Sequence, residues 1–141
     1  MHYTYPVDVL EADDDATITA PDVPELVTCG DTRDEALGRA EDALMTALGF
    51  YIDDGHALPV PGPAMGRPSV AVPSLVAAKL ALHDAMLTAG LSNLELGRRL
   101  GVDEKAVRRL RDPLHRSHIE AVEAVPRLLG KQIELAVRDA A

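Results

Sequence analysis

The amino-acid sequence predicts an α+β fold in which a small sheet with one helix precedes an all-helical unit. The first part of the chain alternates apolar and polar residues, as half-buried strands do, and then changes to helical spacing. Five prolines and three glycines between Gly55 and Pro73 prevent a regular helix there, and capping residues recur beyond Pro73. We therefore expect two units, residues 1–62 and 69–141, joined by a linker at residues 63–68.

The first unit is predicted to hold three strands and a helix. The strands, whose residues alternate or are β-branched, are expected at residues 3–10, 17–19 and 26–29. Turn residues separate them at 13–15 and 21–24, and a short extended piece is expected near 57–60. Thr32 and Glu35 form a capping box that starts the helix. Its apolar face consists of Leu37, Ala40, Leu44, Leu48 and Tyr51.

The second unit is predicted to contain four helices, because start and stop signals recur along it. The residues expected to start them are Ser74, Ser92, Asp103 and Ser117. The residues expected to end them are Gly90, Gly101, the pair Asp112-Pro113, and Gly130. Pro126 is expected to break or kink the last helix.

Residues 91–112 have the pattern of a helix-turn-helix. Gly101-Val102-Asp103 provides a three-residue turn with a glycine, which lets two short helices cross steeply. The inward positions are expected to be Leu94, Leu100, Val102, Val107 and Leu110. The second helix would then lie in the major groove of double-stranded DNA.

Charge is divided unequally between the two halves, which explains how a chain of net charge −9 could bind DNA. Through residue 70 there are three basic and fourteen acidic residues, whereas the remainder carries eleven basic and nine acidic residues. The side chains expected to contact DNA are Asn93, Glu104, Lys105, Arg108, Arg109 and Arg111. Asn93 could anchor a phosphate or brace Glu104. The alternative is a four-helix bundle whose basic residues form a solvated face.

Catalytic, metal and membrane functions lack support in the sequence. His115 and His118 lie at a predicted helix start, where a surface or capping role is expected instead of metal binding, and the acidic run at 13–15 is interpreted as a solvated turn. Cys29, the single cysteine, is interpreted as an ordinary core or strand thiol. No phosphate-binding glycine loop or nucleophile motif is present, so we expect no enzyme, cofactor or metal. Without a signal sequence or a long apolar run, a cytoplasmic protein is expected.

A DNA-binding protein of this kind usually acts as a dimer on paired half-sites, so an association surface is expected. Residues 69–72 and 132–137 alternate like strands and flank the helices. We hypothesise that they pair across subunits. The alternative for residues 133–137 is a continuation of the last helix.

The sequence resembles the HicB family of antitoxins over nearly its whole length. The matching stretches are Tyr5-Pro6-Val7, residues 20–24, Gly30-Asp31-Thr32, Glu35-Ala36-Leu37, residues 72–82 and residues 94–101. Two departures affect turn geometry. Asp15-Ala16 replaces the glycine pair usual in the first turn, and Glu25-Leu26 replaces the usual Gly-Cys.

The resemblance implies a toxin-binding first half, similar to a truncated ribonuclease H fold without its catalytic carboxylates, and a DNA-binding second half. It also implies a HicA-type toxin as partner, a small basic mRNA interferase. Combined with the helix-turn-helix, this predicts a homodimer or higher oligomer that represses its own operon. The acidic first half would then attract and cover the basic toxin. The alternative function is a stand-alone helix-turn-helix transcription factor whose first half senses a small ligand.

Overall fold

The computed structural model describes residues 2–139, and within them two small sheets and five helices confirm the mixed α+β class. The strands are β1 (Thr4–Pro6), β2 (Asp8–Glu11), β3 (Ala16–Ala20), β4 (Val23–Gly30) and β5 (Ser69–Ala71). The helices are α1 (Arg33–Asp53), α2 (Ser74–Ala89), α3 (Asn93–Leu100), α4 (Glu104–Arg111) and α5 (Ile119–Leu128). No strand forms in the described residues 57–60.

The strand predicted at residues 3–10 is two strands that belong to different sheets. β1 pairs antiparallel with β5, whereas β2 pairs with β3, which in turn pairs with β4. The change of partner follows Pro6, which has no N–H to continue a ladder, and the Val7 amide donates to the Pro68 carbonyl at 2.9 Å. The strand expected at residues 69–72 is present as β5 and pairs with β1 of the same chain, and its pairing across subunits stays a prediction.

β4 is longer than predicted and begins inside the segment expected to be a loop. Ala20 pairs with Val23 across a tight turn, and the register then shifts so that Thr19 pairs with Val27. Pro24 lies within this irregular stretch and cannot donate a hydrogen bond to the ladder. The interruption is consequently a bulge in a continuous strand.

α1 packs against β3 and β4 through an apolar face close to the predicted one. The predicted capping box is present in modified form, because Thr32 accepts from the Glu35 amide at 3.2 Å while the Glu35 carboxylate accepts from the Asp31 amide at 3.1 Å. A side chain at Gly30 would place its Cβ 2.7 Å from the Ala36 nitrogen. Glycine therefore permits the close approach between the end of β4 and the helix.

Two apolar cores share α2. The first joins the strands and α1 with Val70, Val76 and Leu80, which lie beyond the predicted linker. The second is formed by Ala78, Leu82, Met86, Leu96, Val107, Val122 and Val125. The unit limits 1–62, 63–68 and 69–141 stay a prediction, but the first core extends past residue 69.

Helix ends in the second half agree with most of the predicted signals. Gly90 and Gly101 adopt left-handed backbone with φ of 63° and 71°, and Ser92 and Asp103 cap α3 and α4 through their side chains. Pro73 and His118, instead of Ser74 and Ser117, precede α2 and α5 without a side-chain cap. α5 continues through Pro126 to Leu128 and is not broken there.

The described residues 131–139 form neither helix nor strand. The alternative, a continuation of the last helix over residues 133–137, is therefore wrong, whereas the pairing of residues 132–137 across subunits stays a prediction. Ile133 packs against the second core, whereas Leu135 and Val137 are exposed. Among residues 2–139 no single helix is long and apolar enough to cross a membrane, although α2 and α3, bent by 106°, meet the length and composition limits together.

Candidate functional site

The pair of short helices α3 and α4 is joined by a tight three-residue turn. Gly101 adopts left-handed backbone, and the Val102 amide donates to the Gly97 carbonyl at 2.9 Å. A Cβ at Gly97 would lie 2.8 Å from the Val102 carbonyl oxygen, so the turn folds closely over α3 only because residue 97 is glycine. These two glycines give the connection its geometry.

The predicted inward face of this helix pair is partly correct. Val107 is buried, and Leu100 and Leu110 pack against the second core. Leu94 and Val102, however, are 57% and 43% exposed. Their expected places are taken by Leu96 and Gly97, the buried residues of α3.

α4 presents a basic face to solvent. Lys105, Arg108 and Arg109 are exposed and have the i, i+3, i+4 spacing that places side chains on one helix face. Glu104, also exposed, pairs with Arg108 at 2.9 Å. Within residues 2–139, neither Lys105 nor Arg109 takes part in an ion pair. Four of the six predicted DNA contacts therefore lie together and accessible.

Arg111 and Asn93, the other two predicted contacts, are turned toward the protein. Arg111 Nη1 donates to Asn93 Oδ1 at 2.6 Å, so Asn93 contacts Arg111 and does not brace Glu104. Arg111 is only partly exposed, and burial lowers the pKa of its guanidinium. It follows the buried Val107 by four residues and therefore shares its inner face. Spacing alone does not identify Arg111 as inward-facing, because it also follows the exposed Arg108 by three residues.

His83, a fully buried histidine on α2, accepts the second hydrogen bond of the Arg111 guanidinium. His83 Nε2 lies 2.7 Å from the His56 carbonyl oxygen, which can only accept, so the ring proton is assigned to Nε2. His83 Nδ1 then accepts from Arg111 Nη2 at 2.6 Å. Burial lowers the pKa of His83, and the Arg111 charge acts in the same direction. The ring is thus held neutral between a carbonyl and a cation.

Lys79, also fully buried on α2, anchors the segment that follows α4. Its ammonium donates to the carbonyl oxygens of Arg109, Asp112 and His115 at 3.0, 2.7 and 2.6 Å, and the Ser117 hydroxyl lies at 2.9 Å. Pro113 has no N–H, so the Arg109 carbonyl lacks its helical partner and Lys79 replaces it. The sequence reasoning missed this residue, although a lysine within the apolar run 75–82 is unusual.

Acidic side chains are concentrated at one end of the larger sheet, which is formed by β2, β3 and β4. The register pairs Glu11 with Ala16 and Ala16 with Gly30, so the turn at residues 13–15 lies beside the residues that follow β4. The exposed acidic side chains at this end are Glu11, Asp13, Asp14, Asp15, Asp31 and Asp34. We call this set the acidic end.

Groups with metal or redox chemistry are sparse in the structure. Among residues 2–139 no set of three His, Cys, Asp or Glu side chains could hold a metal ion. His115 and His118 are exposed, with His115 Nδ1 3.3 Å from the Ser117 hydroxyl. Cys29 is an exposed strand thiol on β4.

Comparisons with known proteins place the chain among the antitoxins. The sequence profile of a HicB-like antitoxin family of bacterial toxin–antitoxin systems matches residues 3–81. Antitoxin HicB 1 of Photorhabdus laumondii is 42% identical over 120 residues, which cover 85% of this chain and 77% of that protein. Antitoxin HicB of Pseudomonas fluorescens is 42% identical, covering 98% of this chain and 96% of its own. Antitoxin HicB of Escherichia coli K12 is 35% identical, covering 94% and 98%.

The chain belongs to the HicB-like antitoxin family. The family match extends from the first strand region into α2, and so includes residues on both sides of the predicted linker. This agrees with the first core, which also extends into α2. Membership of an antitoxin family implies a partner toxin.

Proposed function

We propose that this chain neutralises a HicA-type toxin through its first half and represses its own operon through α3 and α4, interpreted as a helix-turn-helix. The observation that carries the DNA-binding part is the exposed basic face of α4, formed by Lys105, Arg108 and Arg109 in a chain of net charge −9. On this proposal the chain is a cytoplasmic regulator and has no enzymatic activity of its own. Its first half corresponds to the truncated ribonuclease H-like domain that the family resemblance implies.

DNA contact follows from the position of these side chains along α4. The first residues of a recognition helix reach base edges, so Glu104, Lys105 and Arg108 are the groups that read sequence. Arg108 exchanges its ion pair with Glu104 for a guanine or a phosphate when the helix enters the groove. Arg109 binds the phosphate backbone. Because one α4 covers one half-site, a homodimer or higher oligomer binds the paired operator.

The DNA-binding test compares alanine variants on a fragment from upstream of the chain's own operon. We expect Lys105→Ala and Arg108→Ala to abolish binding in an anisotropy titration, and binding by the natural chain to weaken steeply with salt. The control is Arg127→Ala, which removes an exposed arginine on a different helix, α5. Binding that survives both α4 substitutions would refute the DNA-binding proposal.

Toxin capture is proposed to begin at the acidic end. A cluster of six exposed carboxylates attracts a basic RNA-binding surface, speeds encounter and, once bound, keeps RNA from that surface. A fragment of residues 1–66 would be an unsuitable probe, because it lacks β5 and the α2 residues of the first core. The full chain is therefore used.

The toxin test neutralises the turn with Asp13→Asn, Asp14→Asn and Asp15→Asn in one variant. At low salt we expect the association rate with the toxin to fall on the order of tenfold, and the difference to shrink as salt is added. The matched control, Glu120→Gln, Glu134→Gln and Asp139→Asn, removes the same charge from the second half. Equal association rates for the two variants would contradict the role of the acidic end.

A further inference from the structure

A chain of hydrogen bonds joins α4 to the first half of the protein. It runs from the His56 carbonyl to His83 Nε2, from His83 Nδ1 to Arg111, and from Arg111 to Asn93 Oδ1. Its members lie just after α1, on α2, at the last residue of α4 and at the first residue of α3. The bonds measure 2.7, 2.6 and 2.6 Å. Four separate segments are thus tied through one guanidinium.

The Arg111 guanidinium is committed to these contacts on two edges. Nη1 and Nη2 donate to acceptors on α3 and α2, and Nε is buried with no partner among the described residues. A planar guanidinium donates from two nitrogens and so holds two acceptors at a fixed separation. A lysine ammonium cannot hold the same two acceptors at that separation. Arg111 therefore constrains where the end of α4 lies relative to α2.

We propose that Arg111 is a positioning residue, not a phosphate ligand: through His83 it fixes the orientation of α4 relative to the first half of the protein. This inference rests on the proposed DNA-binding function. The basic face of α4 must enter the major groove. In a dimer, the two copies of α4 must also lie at the distance that separates the two half-sites. A helix that pivots about its end misses that spacing, so loss of Arg111 weakens binding without removing a contact to DNA.

The salt dependence of operator binding separates the two roles. Each phosphate contact contributes about one unit to the slope of log K against log salt concentration. We expect Arg109→Ala to reduce that slope by about one unit. Arg111→Met is expected to lower affinity about tenfold at every salt concentration, with an unchanged slope, because the lost contacts are internal.

The charge-conserving variant is the sharper test. A phosphate ligand tolerates lysine as a point charge, whereas a fork between two acceptors does not, so Arg111→Lys is expected to bind as weakly as Arg111→Met. His83→Gln combined with Arg111→Met should weaken operator binding no further than Arg111→Met alone, because both residues act through the same series of hydrogen bonds. Natural affinity in Arg111→Lys would overturn the inference, as would a reduced slope in Arg111→Met.

Hydrogen exchange provides a readout that does not depend on DNA. Arg111→Met is expected to raise amide exchange in α4 and in the segment around His56, while exchange in residues 33–44 of α1 stays unchanged. If the natural chain binds no operator fragment, the proposed DNA-binding function fails, and the exchange pattern still tests the positioning role. Unchanged exchange in α4 and around His56 would refute that role.

Discussion

Replacing the buried Lys79 by methionine tests how the segment after α4 is held. The substitution keeps a long unbranched side chain but removes the ammonium that donates to the carbonyls of Arg109, Asp112 and His115. The pKa of Lys79 is lowered by burial and raised in part by Asp112, which reflects an ammonium held away from water. The variant therefore exchanges a satisfied buried cation for an apolar group surrounded by carbonyl oxygens.

The expected loss of stability follows from what each carbonyl retains. Asp112 keeps the amide of His115 at 3.1 Å, and Arg109 keeps only the Ser117 hydroxyl at 3.3 Å. The His115 carbonyl has no other partner among residues 2–139. The loss of two charge-assisted hydrogen bonds that are not fully replaced costs about 3 to 6 kcal/mol. Part of this cost is offset, because the variant no longer has to bury an ammonium group. We expect a net destabilisation of about 3 kcal/mol, or about 10 °C in Tm.

Urea and thermal unfolding followed by far-ultraviolet circular dichroism measure this change, because most of the second half is helical. Lys105→Met is the matched control: the same substitution at an exposed position is expected to alter the free energy of unfolding by less than about 0.5 kcal/mol. If Lys79→Met unfolds within about 0.5 kcal/mol of the natural chain, the carbonyl anchor does not stabilise the fold.

Two further predictions concern the same region. Burial, assisted by the Arg111 charge, lowers the pKa of His83 in the folded chain below its ordinary value, although the hydrogen bond to the His56 carbonyl and the Asp84 charge act in the opposite direction. The stability that its neutral form provides is present above about pH 6.5 and is lost as pH falls toward the folded pKa, at up to about 1.4 kcal/mol per pH unit. Urea unfolding between pH 7.5 and 5.5 should show a shallower dependence for His83→Gln, and parallel curves would contradict this. Gly97→Ala is expected to lower the free energy of unfolding by about 1 to 3 kcal/mol, because its Cβ would lie 2.8 Å from a backbone oxygen. Gly38→Ala, in an open position of α1, should raise the free energy of unfolding by about 0.5 to 1 kcal/mol. Equal effects of the two alanine substitutions on urea unfolding would argue against the close turn.

The site was predictable to the extent that helical spacing sets which side chains share a face. Lys105, Arg108 and Arg109 are exposed together, as the sequence indicated. Arg111 was assigned to the same surface because of its charge, but it lies four residues after Val107 and faces inward. Charge and spacing did not separate Arg111 from these residues, because its inward orientation depends on the contacts with Asn93 and His83 that folding creates.

The sequence by itself determined the order of the elements and most of their ends. Thr32, Ser92 and Asp103 cap helices and Gly90 and Gly101 end them, because each signal acts within about four residues along the chain. Such local hydrogen bonds do not depend on what lies across the fold. The mixed α+β class follows from the same local patterns.

Only the tertiary structure decided which surfaces meet. β1 pairs with β5 and does not belong to the larger sheet, and α2 is buried on both faces between two cores. The same burial places Lys79 and His83 where they bind carbonyls and a guanidinium distant in sequence. Strand partners and buried polar contacts depend on residues brought together by folding, and periodicity along one segment carries no information about them.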